Sequence, residues 1–148
     1  FLAAPLHDIG MVGIPDQILL KHGSLTSDEF EIIKTHTDVG HEILSGTDSP
    51  LLQLAAEVAL SHHEKYDGTG YPEGLGGEAI PLSARICGIV GAFDALLSER
   101  PYKPAWSLPD AIAALKEGRR EGQFDPALHD TYIDIMPEIE EIRRDFSG

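Results

Sequence analysis

The sequence predicts an all-α fold of about six or seven helices. Apolar residues recur at helical spacing in several segments, and the segment from Leu51 to Ser61 is the most apolar of them. Capping residues and Gly/Pro-rich breaks separate these segments. No convincing run alternates apolar and polar residues as a half-buried strand does. We therefore expect a helical bundle with short connections.

The composition limits the class of protein. The chain has 148 residues, of which 42% are hydrophobic, so one globular domain with a core over 1–148 is expected. The formal net charge of -14 argues against DNA as a partner. The single cysteine, Cys87, suits a reducing cytoplasm. No apolar run approaches the roughly 20 residues that span a bilayer. Because the chain starts at Phe1 without a methionine, it is expected to belong to a longer multidomain protein.

The first predicted helix ends at Gly10 and carries His7 and Asp8 just before that end. An adjacent histidine and aspartate offer one nitrogen and one carboxylate ligand, and a carboxylate can bridge two cations. The alternative is an ordinary surface pair near a helix end. A connection rich in glycine and proline follows, up to Gly23.

The next helix opens with Thr26 as its N-cap and Glu29 in the capping-box position. Phe30 and Ile33 lie on its apolar face, and His36 falls within it. A lone helical histidine is usually structural, so His36 gains interest only from the other histidines.

The apolar helix from Leu51 to Ser61 should be central to the core, and it delivers His62 and His63 at its C-terminal end. A loop of residues 67–77 follows, with five glycines and a proline. Imidazole is a common ligand of transition metals. The alternative for the pair is a helix end that favours cationic side chains.

Further helices are predicted in the C-terminal half. One starts near Pro81 and runs to about Leu96, and another starts at a Ser107 cap and stops near Gly118. The last starts at 125–126 and reaches about Met136, and residues 138–144 form a solvated helical end.

Taken together, these donors indicate a metal site. Nitrogen and oxygen donors without sulfur suit first-row metals such as iron or manganese rather than a structural zinc site. Two cations would polarise a phosphoryl oxygen, which points to phosphoester hydrolysis. Arg100 and Lys103 would contact phosphates. The proposed donors are His7, Asp8, His36, His62 and His63.

A series of motifs in a fixed order is similar to the HD-GYP subgroup of the HD-domain phosphohydrolase superfamily. The resemblance covers nearly the whole chain, and its long central motif is highly specific. The motifs are His7-Asp8-Ile9-Gly10, Gly13-Ile14-Pro15-Asp16, Lys34-Thr35-His36, His62-His63-Glu64, Asp67-Gly68-Thr69-Gly70-Tyr71-Pro72, Phe93-Asp94-Ala95-Leu96, Arg100-Pro101-Tyr102-Lys103 and Gly122-Gln123-Phe124-Asp125-Pro126.

The resemblance implies an HD-domain helical bundle and a cytoplasmic bacterial phosphodiesterase that hydrolyses cyclic di-GMP to linear pGpG or GMP. It implies a divalent transition metal, iron or manganese, with one or two ions retained in this chain. Implied partners are a diguanylate cyclase (GGDEF) domain or an upstream receiver or sensor domain, as in response regulators, and a homodimer is one option.

The resemblance also assigns roles to residues. His7 and Asp8 match the pair that names the superfamily and are the expected catalytic residues, with Asp8 bridging two metals. His36, His62 and His63 match the further histidine ligands. The resemblance implies that Arg100 and Lys103 bind the substrate phosphates. It also implies that the loop of Gly70, Tyr71 and Pro72 flanks the substrate or contacts a partner protein.

Two positions depart from the family pattern. Met11 stands where the family has a lysine that assists charge development, which a thioether cannot do. Gly91 stands where the family has the last aspartate ligand, and Asp94 is not assumed to replace it. Three hypotheses follow: an active cyclic di-GMP phosphodiesterase with a reduced site, a degenerate nucleotide-binding or protein-interaction module, and, less favoured, a general phosphohydrolase.

Overall fold

The computed structural model describes residues 2–99 and 104–146 of this chain. Within these ranges the protein is all-α, and the nearest approach to a sheet is an isolated bridge between Asp67 and Gly76. The predicted fold class is confirmed. The described α-helices are α1 (Asp16–Leu19), α2 (Ser27–Lys34), α3 (His36–Leu44), α4 (Pro50–Ser61), α5 (Leu82–Leu97), α6 (Leu108–Arg120), α7 (Pro126–Asp134) and α8 (Met136–Phe146).

The N-terminal segment differs from the prediction of one helix ending at Gly10. It forms two 3-10 helices, Ala4–Leu6 and Ile9–Gly13, and the second runs through Gly10. Gly10 is buried, and a Cβ there would collide with the backbone of His36 and Gly40. Glycine is therefore required here for the close approach of this segment to α3, not for ending a helix.

Helix α2 begins as predicted, with a capping box between Thr26 and Glu29. Helix α2 ends at Lys34, sooner than expected, and Thr35 separates it from α3. The Thr35 hydroxyl donates to the Ile32 carbonyl at 2.7 Å, a local side-chain bond that competes with the helical ladder. His36 is consequently the first residue of α3 rather than an interior residue of a longer helix.

Helix α4 has nearly the predicted bounds, and it packs closely on α3. Its buried face consists mainly of small side chains, and a Cβ at Gly40 of α3 would lie 3.2 Å from the Ala59 methyl. The expectation that this helix is central to the core holds for its buried face, whereas Leu51 and Leu54 are 40% and 43% exposed. Five buried apolar residues of this half form what we call the alanine-rich cluster: Ala3, Leu44, Ala55, Ala56 and Ala59.

The C-terminal half packs around a second cluster, here called the aromatic cluster. Helix α6 is capped by Ser107 as predicted but continues past Gly118, which is buried against the Phe124 ring. The last predicted helix corresponds to α7, and the predicted helical end of residues 138–144 lies within a separate helix, α8, that starts after Ile135. The cluster contains Ile89, Phe93, Ala111, Leu115, Phe124, Tyr132 and Met136.

None of the helices in the described part of the chain combines the length and the apolar character needed to cross a bilayer.

Candidate metal centre

Four of the five predicted metal ligands converge in the structure. One donor atom from each of Asp8, His36, His62 and His63 lies within 4.8 Å of the others. Asp8 lies between the two 3-10 helices, His36 opens α3, and His62 is the C-cap of α4. The close packing of α3 against both α4 and the Ile9–Gly13 helix brings these donors together.

Backbone carbonyls fix the rings of three histidines. Nδ1 lies 2.8 Å from the Ala4 carbonyl in His7 and 2.6 Å from the Ile33 carbonyl in His36. In His62 it lies 3.0 Å from two carbonyls of the last turn of α4. A ring nitrogen that donates to a carbonyl leaves its Nε2 as the lone-pair atom, which is the arrangement typical of histidine metal ligands.

The Nε2 atoms of His36 and His62 are buried and have no hydrogen-bond partner among the described residues. Each lies 3.4 Å from Oδ1 of Asp8, beyond the usual 2.7–3.2 Å range of N–H···O bonds. Two buried lone pairs that face a carboxylate oxygen need a cation or protons between them. The residues of this chain therefore fit a divalent transition metal at this position.

The second carboxylate oxygen of Asp8 faces a different neighbour. Oδ2 lies 3.2 Å from Nε2 of His7, so His7 sits beside the four-donor group and not within it. The neighbouring imidazoles of His36, His62 and His7 hold the pKa of Asp8 far below its usual range, despite partial burial. The same contact with Asp8 raises the pKa of His7. One oxygen of Asp8 thus faces His36 and His62, and the other faces His7.

His63 is positioned differently, because its ring stacks on Tyr71. The two ring centroids are 4.8 Å apart and the planes are inclined by 23°. Burial, reinforced by the neighbouring rings of His62 and His36, lowers the pKa of His63 to about 3. Its imidazole is therefore neutral near pH 7 and able to coordinate a metal.

The loop that carries Gly70, Tyr71 and Pro72 folds back onto the end of α4. The buried carboxylate of Glu64 accepts hydrogen bonds from two loop amides, Glu73 at 2.8 Å and Leu75 at 3.0 Å. A Cβ at Gly70 would lie 2.5 Å from the Glu64 Cα, so only glycine allows this return. The Tyr71–Pro72 bond is cis. The loop forms one wall of the donor group through the Tyr71 ring.

The two departures from the family pattern are both described. Met11 is half-buried in the Ile9–Gly13 helix, next to the segment that holds Asp8. Among the described residues, no atom outside the local backbone of α5 lies within 4 Å of the position where Gly91 would carry a Cβ, so a side chain could start there without a clash. Asp94 is exposed on α5 and does not join the four-donor group found among the described residues.

Other predicted or overlooked residues complete the picture. Arg100 and Lys103 lie outside the described residues, so their phosphate-contacting role stays a prediction. The anchoring role of Glu64 was not inferred from the sequence, although a glutamate between a histidine pair and a glycine-rich loop is a readable signal. Phe30 and Lys34, which contact Tyr71, had no such signal because they are distant in sequence.

The fold and the His/Asp donor set define the class of protein. Residues 1–128 match the family model described as "HD domain". The chain belongs to the HD-domain family, and the resemblance noted from its motifs is confirmed.

The relatives of the chain are named for a narrower group of enzymes than the family model. Over 146 residues the chain is 50% identical to the cyclic di-GMP phosphodiesterase response regulator RpfG of Xanthomonas campestris pv. campestris, covering 99% of this chain and 38% of that protein. It is 48% identical over 142 residues to a cyclic di-GMP phosphodiesterase of Thermotoga maritima, with coverages of 96% and 38%. It is also 42% identical over 141 residues to the 3'3'-cGAMP-specific phosphodiesterase 2 of Vibrio cholerae, with coverages of 95% and 27%. The chain thus spans well under half the length of these relatives.

Proposed function

We propose that this chain is a metal-dependent phosphodiesterase that hydrolyses cyclic di-GMP to linear pGpG or GMP. The observation that carries the proposal is the donor group of Asp8, His36, His62 and His63, in which two buried Nε2 atoms face one carboxylate oxygen. Relatives named as phosphodiesterases of cyclic dinucleotides, at 42–50% identity over nearly the whole chain, support this substrate class.

The proposed metal ligands are His36, His62, His63 and Asp8 at one position, with Asp8 and His7 at a second. This nitrogen and oxygen donor set favours iron or manganese. When bound, such an ion supplies Lewis-acid polarisation of a phosphoryl oxygen and activation of a water molecule. The carbonyl bonds to Nδ1 of the histidines keep the Nε2 atoms aimed inward, so the protein's own contribution is a preorganised donor set.

The remaining roles concern the proposed reaction. Asp8 and His7 are the proposed catalytic residues. The two oxygens of Asp8 face two possible metal positions, and both side chains are accessible to a substrate, with Asp8 52% and His7 32% exposed. Tyr71, within the Gly70–Pro72 turn, would form the wall against which the substrate rests. Burial raises the pKa of Tyr71 to about 12, so its hydroxyl remains neutral and able to donate a hydrogen bond.

The test is a product assay on full-length protein purified without oxygen and supplied with iron or manganese. Cyclic di-GMP should be converted to a linear product. His62→Ala removes a donor whose Nε2 is buried and has no hydrogen-bond partner within residues 2–99 and 104–146, so this variant should not convert it. Equal rates in the parent and in His62→Ala would reject the proposal. A panel containing 3'3'-cGAMP and simple phosphoesters tests the substrate class, and the absence of any preference for cyclic dinucleotides would favour a general phosphohydrolase.

A second candidate function is a catalytically degenerate module that binds nucleotide or a partner protein. The observation that favours it is the pair of departures, Met11 beside the Asp8 segment and open space at Gly91. Under this hypothesis, the double variant Met11→Lys with Gly91→Asp should gain metal affinity or activity that the parent lacks. Equal activity in both proteins would reject it. A diguanylate cyclase domain and a receiver or sensor domain are the proposed protein partners in either case.

A further inference from the structure

The four histidines beside Asp8 are not oriented by the same kind of contact. His7, His36 and His62 each have Nδ1 close to a backbone carbonyl. Among the described residues, His63 has no hydrogen bond of this kind. Its ring lies instead nearly parallel to that of Tyr71, with the centroids 4.8 Å apart. The fourth ring is therefore held by ring contacts where the other three have hydrogen bonds. Tyr71 lies most nearly parallel to it, and the rings of His62 and His36 lie 4.1 and 5.1 Å away at larger angles.

Tyr71 is in turn held by two side chains of α2. The Phe30 ring meets it edge to face, with centroids 6.2 Å apart and planes at 83°. The ammonium group of Lys34 lies 5.5 Å from the Tyr71 centroid and 5.2 Å from the Phe30 centroid. Glu31 pairs with that ammonium at 2.7 Å and limits its movement. Edge-to-face and cation–π contacts at these separations are both favourable.

We propose that Phe30, Lys34 and Tyr71 act as positioning residues that fix the His63 ring and thereby set the metal affinity of the donor group. The inference rests on the proposed metal role of His63. It assigns a function to α2, a helix that contributes no donor to the group among the described residues. Because the Tyr71 ring stacks directly on the His63 ring, a displacement of the loop that carries Tyr71 should also change the metal affinity.

An ordinary packing role for the same contacts would give a different result. Packing alone would alter the stability of α2 and the loop without a specific effect on His63. Charge alone would act in the opposite direction, because removing the Lys34 cation beside a cation site should strengthen metal binding. A weaker affinity after loss of Lys34 therefore distinguishes positioning from simple electrostatics.

The experiment measures Co²⁺ and Mn²⁺ affinity of the full chain, together with the visible spectrum of the Co²⁺ protein. Tyr71→Leu should weaken binding about tenfold or more, as expected for loss of an outer contact to a metal ligand, and should change the spectrum. Tyr71→Phe keeps the ring and should stay within about twofold of the parent. Lys34→Met and Phe30→Leu should weaken binding about two- to fivefold. Lys65→Met, which removes an exposed cation close to His63 in sequence, is the matched control and should not weaken it.

A second measurement needs no metal. In the metal-free protein, the ring protons of His63 should show an upfield NMR shift to which the Tyr71 ring contributes, and Tyr71→Leu should remove that contribution. The Nδ1 hydrogen bonds of His36 and His62 should persist in the variant. Unchanged His63 signals and unchanged affinity in Tyr71→Leu would overturn the inference, as would a Tyr71→Phe variant as weak as Tyr71→Leu. If the parent binds no metal, the proposed function fails, and the NMR comparison alone decides the positioning of His63.

Discussion

Replacing Gly10 with alanine tests whether the donor group depends on the close approach of the Ile9–Gly13 helix to α3. A Cβ at Gly10 would lie 2.5 Å from the Gly40 amide nitrogen and 2.9 Å from the His36 carbonyl carbon. The first distance is about 0.9 Å short of the 3.4 Å at which ordinary contact begins. These neighbours are backbone atoms, which cannot rotate away, so the two segments must separate.

Two measurable consequences follow from that separation. Overpacking against rigid backbone should cost about 3 kcal/mol in the free energy of unfolding, the upper end of the usual range. Asp8 lies two residues before Gly10, and metal–ligand distances tolerate only about 0.2 Å of error. A displacement of the size estimated above should therefore weaken metal binding by at least about tenfold.

The assay combines urea denaturation of the metal-free protein with a Mn²⁺ titration. Gly13→Ala is the matched control, because it lies in the same 3-10 helix and the three described atoms nearest to its Cβ would all belong to the Val39 side chain, the first at 3.1 Å. Gly13→Ala should lose less stability and keep its metal affinity. If Gly10→Ala matched Gly13→Ala in both measurements, the argument that this approach positions Asp8 would be refuted.

Two further predictions concern the loop and the contact between α5 and α7. Glu64→Gln replaces one acceptor oxygen by a donor, so the amides of Glu73 and Leu75 should exchange with solvent about tenfold faster, for a loss of about 1.5 kcal/mol; unchanged exchange would mean that Glu64 does not anchor the loop. Burial opposes ionisation of Asp125, but the hydrogen bond from Arg85, together with two backbone amides, outweighs it and holds the pKa of Asp125 below its ordinary 3.8. A carboxyl group with a lowered pKa in the folded state stabilises the fold when it is ionised, and this stabilisation is lost as the pH falls through the folded-state pKa. Asp125→Asn should therefore lower the free energy of unfolding by about 3 kcal/mol at pH 7. In denaturation curves, the difference in this free energy between the variant and the parent should narrow below about pH 4. A difference that is constant from pH 7 to pH 3 would contradict the ionic origin.

Local signals in the sequence were sufficient for the helices that carry them. The capping box of α2 needs only Thr26 and Glu29, and the Ser107 cap likewise depends on its own turn, so both are readable without knowledge of the fold. The break at Thr35 was missed because it follows from a hydroxyl that bonds a carbonyl three residues earlier, a choice that composition leaves open. The exposure of Leu51 was missed for another reason. Helical spacing identifies an apolar face but not how much of it a small neighbouring helix can cover.

The donors of the candidate site were predictable because they are residue types that bind metals and because their motifs follow the order found in the family. The structure brings Asp8, His36, His62 and His63 together and leaves His7 beside them, a distinction that residue type cannot make. The contacts around Tyr71 were beyond sequence reasoning. They join a loop to α2 across a long separation, and neither partner carries a local pattern that points to the other.

The alanine-rich cluster has a consequence for the stability of the protein without metal. This cluster is built largely of methyl groups, whereas the aromatic cluster contains the rings of Phe93, Phe124 and Tyr132. Small side chains bury little apolar area, so hydrophobic burial stabilises the half that holds the donors less than the other half. Because a metal ion would tie the N-terminal segment, α3 and α4 to one point, its binding free energy would also act as folding free energy for that half. We therefore expect amide exchange in the metal-free protein to be fastest in these segments and to slow there, but little around Phe93, when metal is added.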